Sequence, residues 1–214
     1  METPDYTDII HAWRLHWDIK AFKKLFICSF IFFVFSMFFY TNFIQWCELR
    51  ESTVLNDPIL KLFKPIDLTW ICFFFVYLGV ICGTYLMLQR PLIICLGLIA
   101  YSLMALLRSV TIFLMPLSPP TNILPLVDPF AQIFLGGKLI QKDLFFSGHT
   151  ATMFFFYLCN MNGKIRYLFF IATIIIGTCV LAQHVHYTID VIAAPFFMFM
   201  AYFWASKIVK HFIT

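Results

Sequence analysis

The sequence predicts an all-α fold, a polytopic membrane protein built as a six-transmembrane-helix bundle. Three observations predict it. Of the 214 residues, 62% are hydrophobic and 12% are charged, about half the charged share of an ordinary soluble domain. One residue in five is aromatic, 28 of them Phe, and a soluble domain of this size leaves too much surface exposed to hide them. The uncharged stretches recur at lengths of roughly 17–25 residues, enough for a helix to cross the hydrocarbon. Disorder is excluded, because disordered chains are polar and poor in aromatics.

The spans follow in order. Leu25–Trp46 is the first, Leu68–Gln89 the second, and Pro91 to about Met115 the third, interrupted only by Arg108. Leu144–Gly163 is the fourth and carries His149. Tyr167–Gln183 is the fifth, and Tyr187 to about Ser206 the sixth, carrying Asp190. Helices are required, since the bilayer core offers no water to backbone groups. Pro116 to Pro125 holds four prolines and cannot continue a helix. The first apolar run lacks a small-x-small cleavage site and reads as a retained span.

Basic residues orient the chain. Arg14, Lys20, Lys23, Lys24, Arg90, Lys164, Arg166, Lys207 and Lys210 fall on one side with both termini, which are therefore expected to be cytoplasmic. Arg50, Lys61, Lys64, Lys138 and Lys142 fall on the other. The expected organisation is a cytoplasmic amphipathic segment (1–24), a six-span catalytic domain (25–210) and a short cytoplasmic tail (211–214). Ile9, Ile10, Trp13, Trp17 and Ala21 give the first segment a helical stripe, suited to the headgroup layer or to packing on the bundle. The net charge of +4 is spread thinly and forms no basic patch for nucleic acid. The seven Cys contain no C-x-x-C pair and read as small core residues.

Ionisable groups inside spans are expensive and mark function. Arg108, Asp143, His149, His184, His186 and Asp190 all fall near the outer face, although they come from three places in the chain. His186 and Asp190 are i and i+4, so a carboxylate can fix one imidazole nitrogen and leave the other as a nucleophile. His149 stands in Phe146-Ser147-Gly148-His149-Thr150. Gly148 permits close approach, and Ser147 can cap the following helix and turn its amide dipoles toward an anion. Arg108 offers a planar fork to phosphate oxygens. Two histidines, a carboxylate and an arginine suit two-step phosphoryl transfer, one histidine attacking phosphorus and the other protonating the leaving oxygen. The His184-x-His186 pair with His149 lacks a further carboxylate or thiolate at ligand spacing, so no metal is expected. His184 and Asp143 read as supporting residues, Asp143 at a helix N-terminus.

Asp143-Leu-Phe-Phe-Ser-Gly-His-Thr150 and His186-Tyr-Thr-Ile-Asp190-Val resemble the two signature motifs of the sphingomyelin synthase family, within the lipid phosphate phosphatase superfamily. Arg108-Ser-Val-Thr111 resembles its arginine motif, and Leu55-Asn-Asp57-Pro58 loosely resembles its first, Pro-Asp-containing motif. The resemblance covers Leu55 to Lys210. It departs at Gln141-Lys142, where Cys-Gly is usual, at Val185, where Glu is usual, and at Ala194-Pro195, where a Tyr is common; no sterile-alpha-motif domain precedes the first span. These features look like a compact bacterial-type member. Ordinary phosphatases of the superfamily carry Lys-x6-Arg-Pro and, five residues before the nucleophilic His, Ser-Arg. Here Gly83 stands where the Lys of Arg90-Pro91 would be, and Cys179-Val180 replace Ser-Arg; against that comparison, loss of cations that would hold a dianionic monoester is expected to favour a singly charged phosphodiester.

The resemblance implies a headgroup transferase without cofactor. His149, His186 and Asp190 are its expected catalytic residues, and Arg108, Asp143, Ser147, Gly148 and Tyr187 its expected substrate- or phosphate-binding residues. Its partners are membrane lipids: phosphatidylcholine or phosphatidylethanolamine as donor, and ceramide or a diacylglycerol-like alcohol as acceptor, with a homodimer left open. The site is expected on the exoplasmic or lumenal face, of the bacterial inner membrane or of Golgi or plasma membrane. The alternatives are a lipid phosphate phosphatase or phospholipase-C-like hydrolase, and a non-catalytic lipid-binding or scramblase-like protein.

Overall fold

A computed structural model describes residues 9–127, 139–160 and 163–213. The first eight residues of the expected amphipathic segment, Lys138 among the counted cations, and Thr214 lie outside the described residues. Seven α-helices are described: α1 (Ile9–Trp17), α2 (Lys20–Cys47), α3 (Thr69–Leu88), α4 (Pro91–Leu114), α5 (Gly148–Cys159), α6 (Arg166–Ala182) and α7 (Thr188–Ile213). Among the described residues there is no strand, only a single bridge joining Thr53 and Leu117.

Four helices, α2, α3, α4 and α7, are long and apolar enough to cross a membrane. The expected fourth span is shorter than the sequence suggests, and the fifth keeps its expected length. The fourth is helical for only 12 residues, Gly148–Cys159, because Asp143–Ser147 is held by side-chain and backbone partners outside any helix. The fifth, α6, has 17 residues, about 25 Å at 1.5 Å per residue. Among the described residues the helices are consistent with a polytopic membrane protein, and four of the expected six spans meet that length and composition.

On the last helix small side chains dominate the inward face while large apolar ones point outward. On α7, Asp190, Ala194, Met198, Ala201, Ala205 and Val209 form one buried stripe, spaced by three or four residues. Ile192 and Phe196 on the opposite face are 66% and 61% exposed. With lipid outside, helices gain little from hiding large side chains and approach through small ones. Gly83 makes room for a large core side chain: a Cβ there would stand 2.1 Å from the buried Phe156 ring. Helix α4 lies between α2 and α7, and α5 packs against α6, α7 and α3.

The two ends of the bundle are secured differently. Pro91 occupies the first turn of α4, where its missing N–H costs nothing. Beside it, the Arg90 guanidinium donates to Cys159 O at 3.1 Å and Asn160 Oδ1 at 2.6 Å, neutralising the carbonyl end of α5. The indole N–H of Trp13 donates to Leu88 O at 2.8 Å, anchoring α1 to the same end. At the other end, loops are tied together by main-chain bonds. Thr53 N donates to Pro116 O and Ser118 N to Thr53 O, at 3.0 and 2.8 Å. Ile66 N and Leu124 N reach the last carbonyls of α6, Ala182 O and Gln183 O, at 2.8 and 2.9 Å.

Candidate active site

Ser147 is the N-cap of α5, accepting from Thr150 N with its side chain. Its backbone N–H donates to Asp190 O at 3.1 Å. This bond docks the start of α5, and so the segment carrying Gly148 and His149, onto the start of α7. Arg108 reaches the same place from α4, and a Cβ on Gly148 would stand 1.7 Å from its Nη1. The glycine is therefore required by the guanidinium lying against it.

Arg108 is 5% exposed. Its Nη2 donates to Asp143 Oδ1 at 2.6 Å, and Tyr40 from α2 donates to the same oxygen at 2.5 Å. The guanidinium lies 5.5 Å from the Tyr40 ring centre and 5.8 Å from that of Phe146, which fixes its plane. Nε is buried with no hydrogen-bond partner. Asp143 thus serves as the counter-ion that aims Arg108. Tyr40, which lies in an otherwise apolar run, carried no sequence signal as its partner.

His186 lies in the turn just before α7 and is 3% exposed. Its Nδ1 is 3.2 Å from Asp190 Oδ2, which also accepts from Tyr187 N at 3.0 Å. With a proton on Nδ1, the lone pair is on Nε2, the nucleophilic tautomer. Asp190 is fully buried, and its Oδ1 has no hydrogen-bond partner. Among the described residues four buried side-chain polar atoms lack partners: Arg108 Nε, Gln183 Oε1, His184 Nε2 and Asp190 Oδ1. All four belong to residues at the histidine end, as expected of a site built to receive a polar ligand.

Two residues support this turn from elsewhere. The Tyr187 hydroxyl donates to Ser118 O at 2.8 Å and accepts from Leu55 N at 3.0 Å, so it joins two loops to the histidine turn. Asp57 holds the start of α7: its Oδ2 accepts from Thr188 N at 2.7 Å, and its Oδ1 from Ile59 N at 2.9 Å. The motif around Asp57 was the only sequence signal for this long-range cap. Burial raises the Asp57 pKa, but the bonds from Thr188, Ile59 and Leu60 outweigh it and hold the carboxyl below its usual value. Its stabilisation is therefore complete above the ordinary carboxylate range and is lost as pH falls through the lowered value. Asp57→Asn should cost about 1.5–3 kcal/mol at neutral pH. Thermal melts of both proteins from pH 7 to pH 3 should show that difference shrink on acidification. A constant gap would sink this assignment.

The comparison with ordinary phosphatases at Arg90-Pro91 does not survive the fold. Arg90 caps the C-terminal end of α5, whereas Gly148 and His149 begin it, and 12 residues separate the ends by about 18 Å. Arg90 cannot be a phosphate ligand of this site, and the missing Lys at Gly83 carries no argument about substrate. Cys179 and Val180 are 4% and 0% exposed and contribute apolar packing.

Residues 142–207 match the family model described as PAP2 superfamily C-terminal. That segment contains Asp143, Ser147, His149, His186 and Asp190. The match supports membership of the lipid phosphate phosphatase superfamily. No curated protein and no solved structure matches the chain. The match over this segment and the several apolar helices point to an integral membrane protein and fit phosphatase or phosphotransferase activity on lipid phosphates.

Proposed function

We propose that this protein transfers a phospholipid headgroup, phosphocholine or phosphoethanolamine, from a glycerophospholipid to a lipid alcohol such as ceramide. One observation carries the choice of a phosphodiester over a phosphate monoester. Among the described residues Arg108 is the sole buried Lys or Arg, and Asp143 already offsets its charge at 2.6 Å. A dianionic monoester would enter a buried site that also holds Asp190, with too little positive charge to balance it. A singly charged diester needs only the guanidinium.

The chemistry runs in two steps. His186 Nε2 attacks phosphorus while Asp190 stabilises the developing positive charge on the ring. The bond from phosphorus to the glycerol oxygen breaks, and His149 gives that oxygen a proton, releasing diacylglycerol. The headgroup remains on His186 as a phosphoramidate. His149, now a base, takes the proton of the incoming hydroxyl, whose oxygen attacks phosphorus and frees His186. Water in place of the alcohol would give hydrolysis, and the apolar bundle favours transfer by limiting it. The reading takes α5 and α6 as the fourth and fifth spans and places the histidine end on the exoplasmic face, as the distribution of Lys and Arg suggests.

The test uses purified protein in mixed-phospholipid vesicles, with and without ceramide, with products identified by mass spectrometry. Diacylglycerol and a ceramide-linked headgroup should form in equal amounts. Release of inorganic phosphate from phosphatidate at a greater rate than headgroup transfer would assign the protein to the phosphatases instead.

A further inference from the structure

Gln141, Lys142 and Asp143 stand outside any helix, yet Asp143 has to meet Arg108 at hydrogen-bond distance. The bonds that place this segment come from the end of α2. Glu48 is the C-cap of that helix and is half-buried. Its Oε1 accepts from Gln141 N and from Lys142 N, both at 2.6 Å. One carboxylate oxygen thus takes two successive main-chain amides, and its charge strengthens both bonds. The Lys142 ammonium donates to Arg50 O, two residues beyond Glu48.

Arg50 in turn secures the end of α2 to α4. Its guanidinium donates to Phe113 O at 3.2 Å and lies 5.0 and 4.8 Å from the ring centres of Trp46 and Phe113. Phe113 and Arg108 belong to the same helix. The end of α2 is therefore tied to the helix that carries Arg108 and, through Glu48, to the segment that carries Asp143. Glu48 lies outside every motif read from the sequence, and the proposed reaction gives it no part.

We infer that Glu48 is a positioning residue of the candidate active site: by holding the Gln141 and Lys142 amides, it fixes the point from which Asp143 aims Arg108. It acts through those amides and not on the substrate. Without it the two amides lose their acceptor, and Asp143 gains freedom while α4 stays in place. The inference rests on the proposed function only in taking Arg108 as the ligand of the phosphate.

The full chain in mixed-phospholipid vesicles tests it, on whichever reaction the wild type performs, headgroup transfer or phosphate release. Glu48→Ala should raise KM for the lipid and lower kcat/KM at least about tenfold. A mere loss of folded protein would lower apparent kcat and leave KM in place. Glu48→Gln keeps an acceptor oxygen at the same reach and should stay within about threefold of wild type. Glu48→Asp keeps the charge but is one methylene short, and should behave like the alanine variant. In an Asp143→Ala background, Glu48→Ala should cost less than about twofold more, because the group it positions is gone. Hydrogen exchange at the 141 and 142 amides should quicken in Glu48→Ala and not in Glu48→Gln. Wild-type KM in Glu48→Ala, recovery by Asp instead of Gln, or a loss that adds in full to that of Asp143→Ala would overturn the inference and leave the proposed reaction standing. Phosphate release by the wild type would overturn the proposed reaction alone, with the same variants deciding the inference. An inactive wild type would overturn both.

Discussion

His186→Ala should abolish formation of the covalent intermediate and lower headgroup release at least about 10³-fold. The expectation rests on the fixed tautomer: Asp190 Oδ2 lies 3.2 Å from Nδ1, leaving Nε2 to attack. His149→Ala should lower lipid turnover to a similar degree, for a different reason, since it removes the acid that protonates diacylglycerol. An activated aryl phosphodiester separates the two roles, because a phenolate of low basicity leaves without a proton. With that substrate His149→Ala should still accumulate a protein adduct, visible by intact mass, whereas His186→Ala should not. An adduct of equal yield in His186→Ala would reject His186 as the nucleophile.

Gly148→Ala should be nearly as damaging, although it removes no chemical group. The added Cβ would stand 1.7 Å from Arg108 Nη1 and 2.9 Å from Cζ. A flexible arginine could step aside, but this one is held by Asp143 at 2.6 Å and stacked near Tyr40 and Phe146. Displacing it by about 1 Å should cost on the order of 10²-fold in kcat/KM. Overpacking should add about 1–3 kcal/mol of destabilisation. Gly163→Ala is the control, since a Cβ there would meet its nearest neighbour at 3.6 Å; it should leave both kinetics and Tm unchanged. Wild-type kinetics in Gly148→Ala would show that Arg108 is free to move and would remove its positioning role.

Much of the site was legible because charge in an apolar span is costly and therefore informative. Asp190 and His186 share one face by spacing alone, and their bond is present even though His186 precedes the helix. Ser147 caps α5 where a Ser before an apolar run would. The span lengths were less legible. Hydropathy sees Leu144–Gly163 as one apolar stretch, but Leu144, Phe145 and Phe146 are buried in a bent segment outside any helix. An apolar residue satisfies a core equally well in helix or loop. The partners of Asp143 and Asp57 were invisible for another reason. Tyr40 lies 103 positions from Asp143, and Thr188 lies 131 from Asp57, and no periodicity spans such distances.

The misplaced comparison at Arg90 shows the same limit. In sequence, Arg90-Pro91 looks like half of a phosphate-binding motif; in the fold it caps the far end of α5. What the sequence determined by itself was composition, period and local spacing: a helical chain of membrane composition and the His186–Asp190 pair. These follow from the solvent and from the 3.6-residue turn, which act on neighbours in the chain. Tertiary structure alone decided that Gly148 touches Arg108, that Asp143 offsets the guanidinium, and that Asp57 begins α7. Such pairings depend on which helix ends meet, and that is set by packing of small residues across the whole bundle.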